Sequence, residues 1–78
     1  MPQASDELRE LMVKRFGSID EQGPIKYLEE QGYRLTGHYF WWPKAGVKSY
    51  NDMTKEEYDC LLFLVTEWDF GGFYTKEA

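Results

Sequence analysis

Apolar side chains recur at helical spacing near the start of the chain and predict a first helix over residues 6–16. The pattern is carried by Leu8, Leu11, Met12 and Phe16. Ser5 is suited to cap the amino end, because its hydroxyl can accept a free backbone N–H of the first turn. Gly17 suits the left-handed position that commonly follows the last turn.

A second, shorter helix is predicted over residues 24–31. Pro24 fits the first turn of a helix, where its missing N–H leaves no hydrogen bond unmade. The apolar positions of this segment are Ile25, Tyr27 and Leu28, and Gly32 ends it.

The sequence Thr54-Lys55-Glu56-Glu57 is a capping box and predicts a third helix that runs to about Trp68. One apolar face is expected from Tyr58, Leu61, Leu62, Val65 and Trp68, widened by Cys60, Phe63 and Leu64. Such a broad apolar face is typical of the most buried helix of a domain. Gly71 and Gly72 are expected to terminate the helix.

Residues that favour strands are concentrated between the second and third helices. We predict strands over residues 33–36 and 39–42, joined at Gly37 as a short hairpin. Residues 73–78 are either a short extra strand or a frayed tail. The element order predicts an α+β fold, with three helices packed on a small antiparallel β-hairpin. Residues 1–78 are expected to form a single compact domain with frayed ends at 1–4 and 75–78.

The net charge of −5 is distributed unevenly along the chain. Residues 1–32 carry seven acids and four bases, and residues 51–78 carry seven acids and two bases. Residues 33–50 carry three bases, Arg34, Lys44 and Lys48, and no acid. A basic segment rich in aromatic residues is thus flanked by two acidic arms, and the overall charge opposes non-specific attraction to nucleic acid or anionic lipid.

Few residues are candidates for catalysis or for binding a cofactor. His38 is the only histidine and Cys60 the only cysteine, so the three or four ligands of a zinc site are not provided by these residue types. No glycine-rich phosphate loop precedes a helix. We therefore expect no enzyme activity, no metal and no cofactor. No apolar run is long enough to span a membrane, and the polar amino end is unlike a signal peptide, so a cytoplasmic protein is expected.

The segment 33–50 interleaves aromatic residues with bases, as single-strand nucleic-acid platforms do. Adjacent strand residues point to opposite faces, so at most one of Trp41 and Trp42 can lie in the core. The other ring either packs under a loop or anchors a partner, because tryptophan is enriched at interface hot spots.

Four groups of short stretches are spread over most of the chain. They are Asp6-Glu7-Leu8-Arg9 with Arg15-Phe16-Gly17, Pro24-Ile25 with Tyr27-Leu28-Glu29, Gly32-Tyr33 with Leu35-Thr36, and Phe63-Leu64 with Glu67-Trp68-Asp69-Phe70-Gly71-Gly72. Together they resemble small accessory proteins of tailed bacteriophages. The resemblance implies a class of short phage proteins that bind and redirect host enzymes such as RNA polymerase or CRISPR effectors. It assigns no residue a role.

The favoured hypothesis is a non-enzymatic module that binds a host bacterial protein, itself one that handles nucleic acid, through an acidic surface. The predicted binding residues are Glu29, Glu30, Trp41, Trp42, Glu67 and Asp69. Under this hypothesis the protein does not bind nucleic acid directly. The alternative is a small nucleic-acid-binding transcriptional regulator that uses the basic aromatic segment 33–50. A small enzyme is a third and weaker alternative.

Overall fold

The computed structural model of the chain describes residues 4–74. It contains three α-helices, α1 (Asp6–Phe16), α2 (Gln22–Glu30) and α3 (Lys55–Glu67). Two short strands, β1 (Arg34–Leu35) and β2 (Trp41–Trp42), pair antiparallel, and a 3₁₀ turn at Tyr50–Asp52 precedes α3. The predicted α+β class, with three helices and one antiparallel hairpin in a single domain, is confirmed.

Helix α1 has the bounds that the apolar pattern predicts. The hydroxyl of Ser5 accepts a hydrogen bond of 3.2 Å from the backbone N–H of Leu8. Gly17 adopts a left-handed conformation with φ of 82°, and its N–H donates to the carbonyl of Val13. Leu8 and Met12 are the buried residues of this helix.

Helix α2 begins two residues earlier than predicted and ends one residue earlier. Pro24 is its third residue, still within the first turn, whose N–H groups have no partner inside the helix. Glu21 precedes the helix without a capping hydrogen bond from its side chain. Pro24 and Leu28 are its buried residues and face the core.

Helix α3 is the central helix, and its capping box is confirmed. Thr54 Oγ1 accepts from the N–H of Glu57 at 3.2 Å, and Glu57 Oε1 accepts from the N–H of Thr54 at 3.0 Å. The buried residues of α3 are Glu57, Asp59, Cys60, Leu61, Phe63 and Leu64. The predicted face is therefore rotated: Tyr58 and Trp68 are each 39% exposed, and Leu62 is only half-buried.

The strands are shorter than the predicted ranges 33–36 and 39–42, because a tight turn occupies the positions between them. Thr36 Oγ1 accepts from the N–H groups of His38 and Phe40, each at 3.2 Å. Tyr39 takes a left-handed conformation with φ of 64°. Only two cross-strand pairs of the predicted hairpin form, Arg34 with Trp42 and Leu35 with Trp41.

A third extended segment completes the sheet on the other side of β2. Phe73 forms a parallel bridge with Trp41. Trp41 donates its N–H to the carbonyl of Gly72 at 2.9 Å, and its own carbonyl accepts from the N–H of Tyr74 at 2.8 Å. The described start of this segment is therefore held against β2 by a single bridge and its hydrogen bonds, and it is not a full third strand. Residues 75–78 lie outside the described residues.

The end of α3 differs from the prediction that Gly71 and Gly72 terminate it. Asp69, with φ of 63°, provides the left-handed residue after the helix. The two glycines instead lie beneath aromatic rings. A Cβ atom at Gly71 would lie 2.5 Å from the ring of Phe40, and one at Gly72 would lie 2.0 Å from the hydroxyl of Tyr50.

The amino end of the described chain is docked against α3. Ala4 is buried, and its N–H donates to Oε1 of Glu67 at 3.2 Å. The expectation of fraying over residues 1–4 therefore does not hold for Ala4, while residues 1–3 lie outside the described part of the chain.

Candidate partner-binding surface

The side of the sheet that faces away from the helices carries a group of aromatic residues and one base. Arg34 lies directly opposite Trp42, while Leu35 lies opposite Trp41. Trp41 is 0% exposed, so it lies on the inner side. Because neighbouring strand residues alternate in direction, Arg34 and Trp42 lie on the outer side. We call this surface the outer sheet face.

Two further rings extend the outer sheet face. The ring of Tyr74 lies 4.6 Å from that of Trp42 and 6.5 Å from that of Phe40, with interplanar angles of 62° and 74°. These are edge-to-face contacts, the arrangement that aromatic quadrupoles favour. Phe40 remains 40% exposed. The period-two spacing of Phe40 and Trp42 was visible in the sequence, whereas the contribution of Tyr74 depends on the third segment.

The two adjacent tryptophans have different environments, as strand alternation requires. Trp41 is fully buried, and its Nε1 has no hydrogen-bond partner within the described chain. A fully buried ring cannot contact a partner, so the predicted binding role of Trp41 does not fit its position. Trp42 is half-buried under Tyr74 and remains a candidate anchor.

Three predicted acidic residues lie exposed at the carboxyl ends of helices. Glu29 and Glu30 form the end of α2, and Asp69 follows α3. Neither helix has a base in its last turn. The helix dipole disfavours negative charge at this end by about 0.3–1 kcal/mol for each charge. Within residues 4–74 none of the three forms an ion pair. Asp69 also serves the fold as the left-handed residue after α3, a conformation that Asp tolerates better than most residues. Folding gives no such reason for Glu29 and Glu30.

Glu67, the fourth predicted acidic residue, is engaged inside the fold. Arg9 donates from Nε to Oε1 at 2.9 Å and from Nη2 to Oε2 at 2.8 Å. These hydrogen bonds, together with the one from Ala4, lower the pKa of Glu67 below its ordinary value. The carboxylate therefore joins α1 to α3, which is a structural role. The sequence could not reveal it, because Arg9 and Glu67 are distant along the chain.

Glu57 is a buried carboxylate that the sequence marks only as a capping residue. Besides the Thr54 N–H, it accepts hydrogen bonds from Tyr33 Oη at 2.9 Å and from Lys44 Nζ. Burial acts to raise the pKa of Glu57, but the hydrogen bonds from Lys44, Thr54 and Tyr33 outweigh it and lower the pKa. Both oxygen atoms have partners, so Glu57 holds the hairpin against α3.

The positive charge of segment 33–50 is partly neutralised by these contacts. Lys44 pairs with Glu57 and lies 5.7 Å from the centre of the Tyr33 ring. Arg34 has no ion pair among the described residues and stands beside Trp42 on the outer sheet face. The base that this face offers to a ligand is therefore Arg34.

The residues that could take part in catalysis or metal binding do not form a common site. Cys60 is buried, and burial raises the pKa of its thiol to about 11, so the reactive thiolate is scarce at neutral pH. His38 is exposed in the turn between the strands. Across residues 4–74, no three histidine, cysteine or acidic side chains converge as metal ligands. Within the same range no helix is long and apolar enough to cross a lipid bilayer.

Comparison with known protein families identifies a relationship that covers the whole chain. Residues 1–78 match the family described as Phage Pam3 gp59 related protein. The chain belongs to this family. Membership in the Pam3 gp59-related family confirms the phage resemblance of the sequence, and the family description states no activity. No curated protein and no solved structure matches the chain.

Proposed function

We propose that this phage protein is a non-enzymatic module that binds a host protein acting on nucleic acid, such as RNA polymerase or a CRISPR effector, and inhibits or modulates it. The observation that carries the proposal is the placement of Glu29, Glu30 and Asp69. These exposed carboxylates lie at helix ends where the dipole disfavours them, and no ion pair in the described chain compensates them. A charge that destabilises the fold is more readily retained in a protein when it contributes to binding a partner.

The chemistry of such a surface fits a protein that normally binds nucleic acid. Carboxylates displayed on helix ends resemble a set of phosphates, and a basic groove would attract them over a Debye length of about 10 Å. The half-buried ring of Trp42 adds a short-range contact of the kind found at interface hot spots. The partner would be met in the host cytoplasm, where both enzymes act.

The proposal is tested with purified host RNA polymerase and a purified CRISPR effector complex. Binding is measured by biolayer interferometry in low and high salt, with wild type and with the variant Glu29→Lys, Glu30→Lys, Asp69→Lys. We expect slower association in high salt and at least about tenfold weaker binding by the variant, as for removal of complementary charges.

A matched variant separates the site from the net charge. Asp20 and Glu56 are exposed acids, and Asp20→Lys with Glu56→Lys is compared with Glu29→Lys with Glu30→Lys, which changes the net charge equally. Equal weakening by the two pairs would show that net charge alone matters. Absence of binding to either host enzyme would reject the proposed partners.

A second candidate function, a small nucleic-acid-binding regulator, is favoured by one observation. Arg34 lies opposite Trp42 on the outer sheet face, where the ring of Tyr74 packs against those of Trp42 and Phe40. Aromatic rings beside a base are the elements of a single-strand platform. Fluorescence anisotropy with labelled single-stranded DNA and RNA at physiological salt tests it. Tight binding that is lost in Arg34→Ala would replace the first proposal, and weak binding would leave that proposal standing.

A further inference from the structure

A shallow groove runs along the side of α3 that the sequence predicted to be buried. On one side it is bounded by the first two turns of α1, through Leu8 and Leu11. Its floor is formed by α3, and Tyr50 of the 3₁₀ turn bounds the other side. Leu62 lines both depressions, so they lie next to each other along α3. We call them together the α3 groove.

The floor of the α3 groove has the spacing of a helix-binding site. Tyr58, Leu62 and Val65 are four and three residues apart, so they form one row on the helix. The row extends over about 10 Å, which corresponds to two helical turns. Tyr58 is 39% exposed, and Leu62 and Val65 are half-buried. An amphipathic helix laid along this row would cover it with residues at similar spacing.

The charges that line the groove favour a basic occupant. Lys55 Nζ and Asp59 Oδ2 form an ion pair at 2.9 Å, so their charges cancel. Glu7 lies in the wall formed by α1 and has no ion pair within the described chain. Glu10 and Lys14 continue the same row of α1, but neither lines the groove, and their charges are opposite. The uncompensated charge beside the apolar floor is therefore the negative charge of Glu7.

We infer that the α3 groove binds a basic amphipathic helix of a partner protein. The inference rests on the proposed function only in taking the protein to bind another protein, and it adds a second contact surface and the chemistry of the segment that occupies it. A second copy of this chain fits less well, because two molecules that each carry a net charge of −5 repel one another.

The test uses two synthetic peptides of about 14 residues, a length that can form a helix on binding. Both have the same leucine pattern, and their polar face is lysine in one and glutamate in the other. Binding to the ¹⁵N-labelled protein is followed by amide chemical shifts. We expect the lysine peptide to shift residues 7–11, 50 and 58–65 and the glutamate peptide to cause no saturable change.

Variants test the apolar floor and the charge of Glu7 separately. Leu62→Glu is expected to weaken binding of the lysine peptide at least about tenfold, because it places a charge in an apolar contact. Val13→Glu is the matched control, because Val13 is an apolar residue of α1 that is 48% exposed and does not line the groove. It should change the affinity by less than about twofold. Glu7→Lys should weaken binding more than Glu56→Lys does.

The groove is rejected as the site if the shifts map to the outer sheet face, if both peptides bind equally, or if neither binds. If Leu62→Glu does not fold, the shift map and the Glu7→Lys comparison decide. Sedimentation that reveals a dimer dissociated by Leu62→Glu would assign the groove to a second copy and overturn the inference. If the protein binds the host enzyme but neither peptide, only the inference about the groove is rejected. If it binds the lysine peptide but neither host enzyme, only the proposed partners are rejected.

Discussion

The hydroxyl of Tyr33 donates a hydrogen bond of 2.9 Å to Oε1 of Glu57, and both side chains are buried. This contact connects the residue before β1 to the first turn of α3. Burial, together with the hydrogen bond to Glu57, raises the pKa of Tyr33, so the hydroxyl remains a donor at all ordinary pH values. The orientation of the hairpin relative to α3 is thus set by a charged acceptor inside the fold.

Replacement of Tyr33 by phenylalanine removes this donor without changing the ring. We expect Tyr33→Phe to lower the free energy of unfolding by about 1.5–3 kcal/mol, the usual value for a hydrogen bond to a charged group. Urea denaturation followed by far-ultraviolet circular dichroism measures it. Tyr27→Phe is the control, since Tyr27 makes no side-chain hydrogen bond among the described residues and should change stability little. Equal effects of the two changes would contradict the role of Glu57 as acceptor.

The stability of the domain should depend on pH through Glu57 and Glu67. Both have a folded-state pKa below the ordinary value of 4.5. Their contribution is therefore complete above the pKa of the unfolded chain and is lost as the pH falls through the lower folded values. We expect a constant urea midpoint from pH 7 to about 5.5 and a decline below about pH 4.5.

The variant Glu67→Gln tests the assignment of this pH dependence. This variant cannot titrate at position 67, so its urea midpoint should fall less steeply with decreasing pH than that of the wild type. An unchanged midpoint between pH 7 and pH 3 in the wild type would show that neither carboxylate is coupled to folding.

The capping box gives a prediction for the start of α3. Thr54→Ala removes the acceptor for the Glu57 N–H and should destabilise the domain by about 1 kcal/mol. Thr54→Ser keeps the hydroxyl and should recover most of the loss. Thermal unfolding of the three proteins makes the comparison, and equal melting temperatures would show that the cap is dispensable.

Because the buried face of α3 is rotated, alanine substitutions at Leu64 and Leu62 should lower the free energy of unfolding by different amounts. Leu64 is fully buried, and Leu64→Ala should cost about 2–5 kcal/mol because it opens a cavity in the core. Leu62 borders the α3 groove, so Leu62→Ala should cost about 1 kcal/mol, since part of its surface is already in water. Chemical denaturation measures both, and a larger loss at Leu62 would restore the face that the sequence predicted.

Gly72 should resist substitution because of the ring above it. In Gly72→Ala the new methyl group would lie 2.0 Å from the hydroxyl of Tyr50, which also accepts from the N–H of Phe73. Displacement of this ring should cost about 1–3 kcal/mol. Gly37→Ala is the control, since nothing lies within 4 Å of its added Cβ atom. Similar melting temperatures for the two variants would contradict the close approach.

The helices could be predicted from the sequence because their signals are local. Ser5 and Gly17 gave the bounds of α1, and the pair Thr54 and Glu57 gave the start of α3. Contacts between distant positions could not be predicted. The engagement of Glu67 by Arg9, for example, needs both helices in place before the two side chains meet.

The sheet and the candidate site were predictable only in part. Alternation along β2 required that at most one tryptophan be buried, but it could not decide which one. The side of the sheet that packs toward the core decides it, and that is set only when the separate elements come together: Trp41 lies on the buried side, and Trp42 on the other. The exposed acids Glu29, Glu30 and Asp69 were identified from composition, and their position against the helix dipoles adds a physical reason to consider them.

The three tryptophans occupy different environments, which gives the protein distinct optical reporters. Trp41 is fully buried, and Trp42 is half-buried on the outer sheet face. Trp68 is 39% exposed, and its Nε1 donates a hydrogen bond to the carbonyl of Ile19. Emission from Trp41 should lie at short wavelength and shift to the red only on unfolding. Quenching by iodide should fall selectively when a ligand covers Trp42. Single Trp→Phe replacements would assign each signal to its residue, so that unfolding and ligand binding could be distinguished by fluorescence.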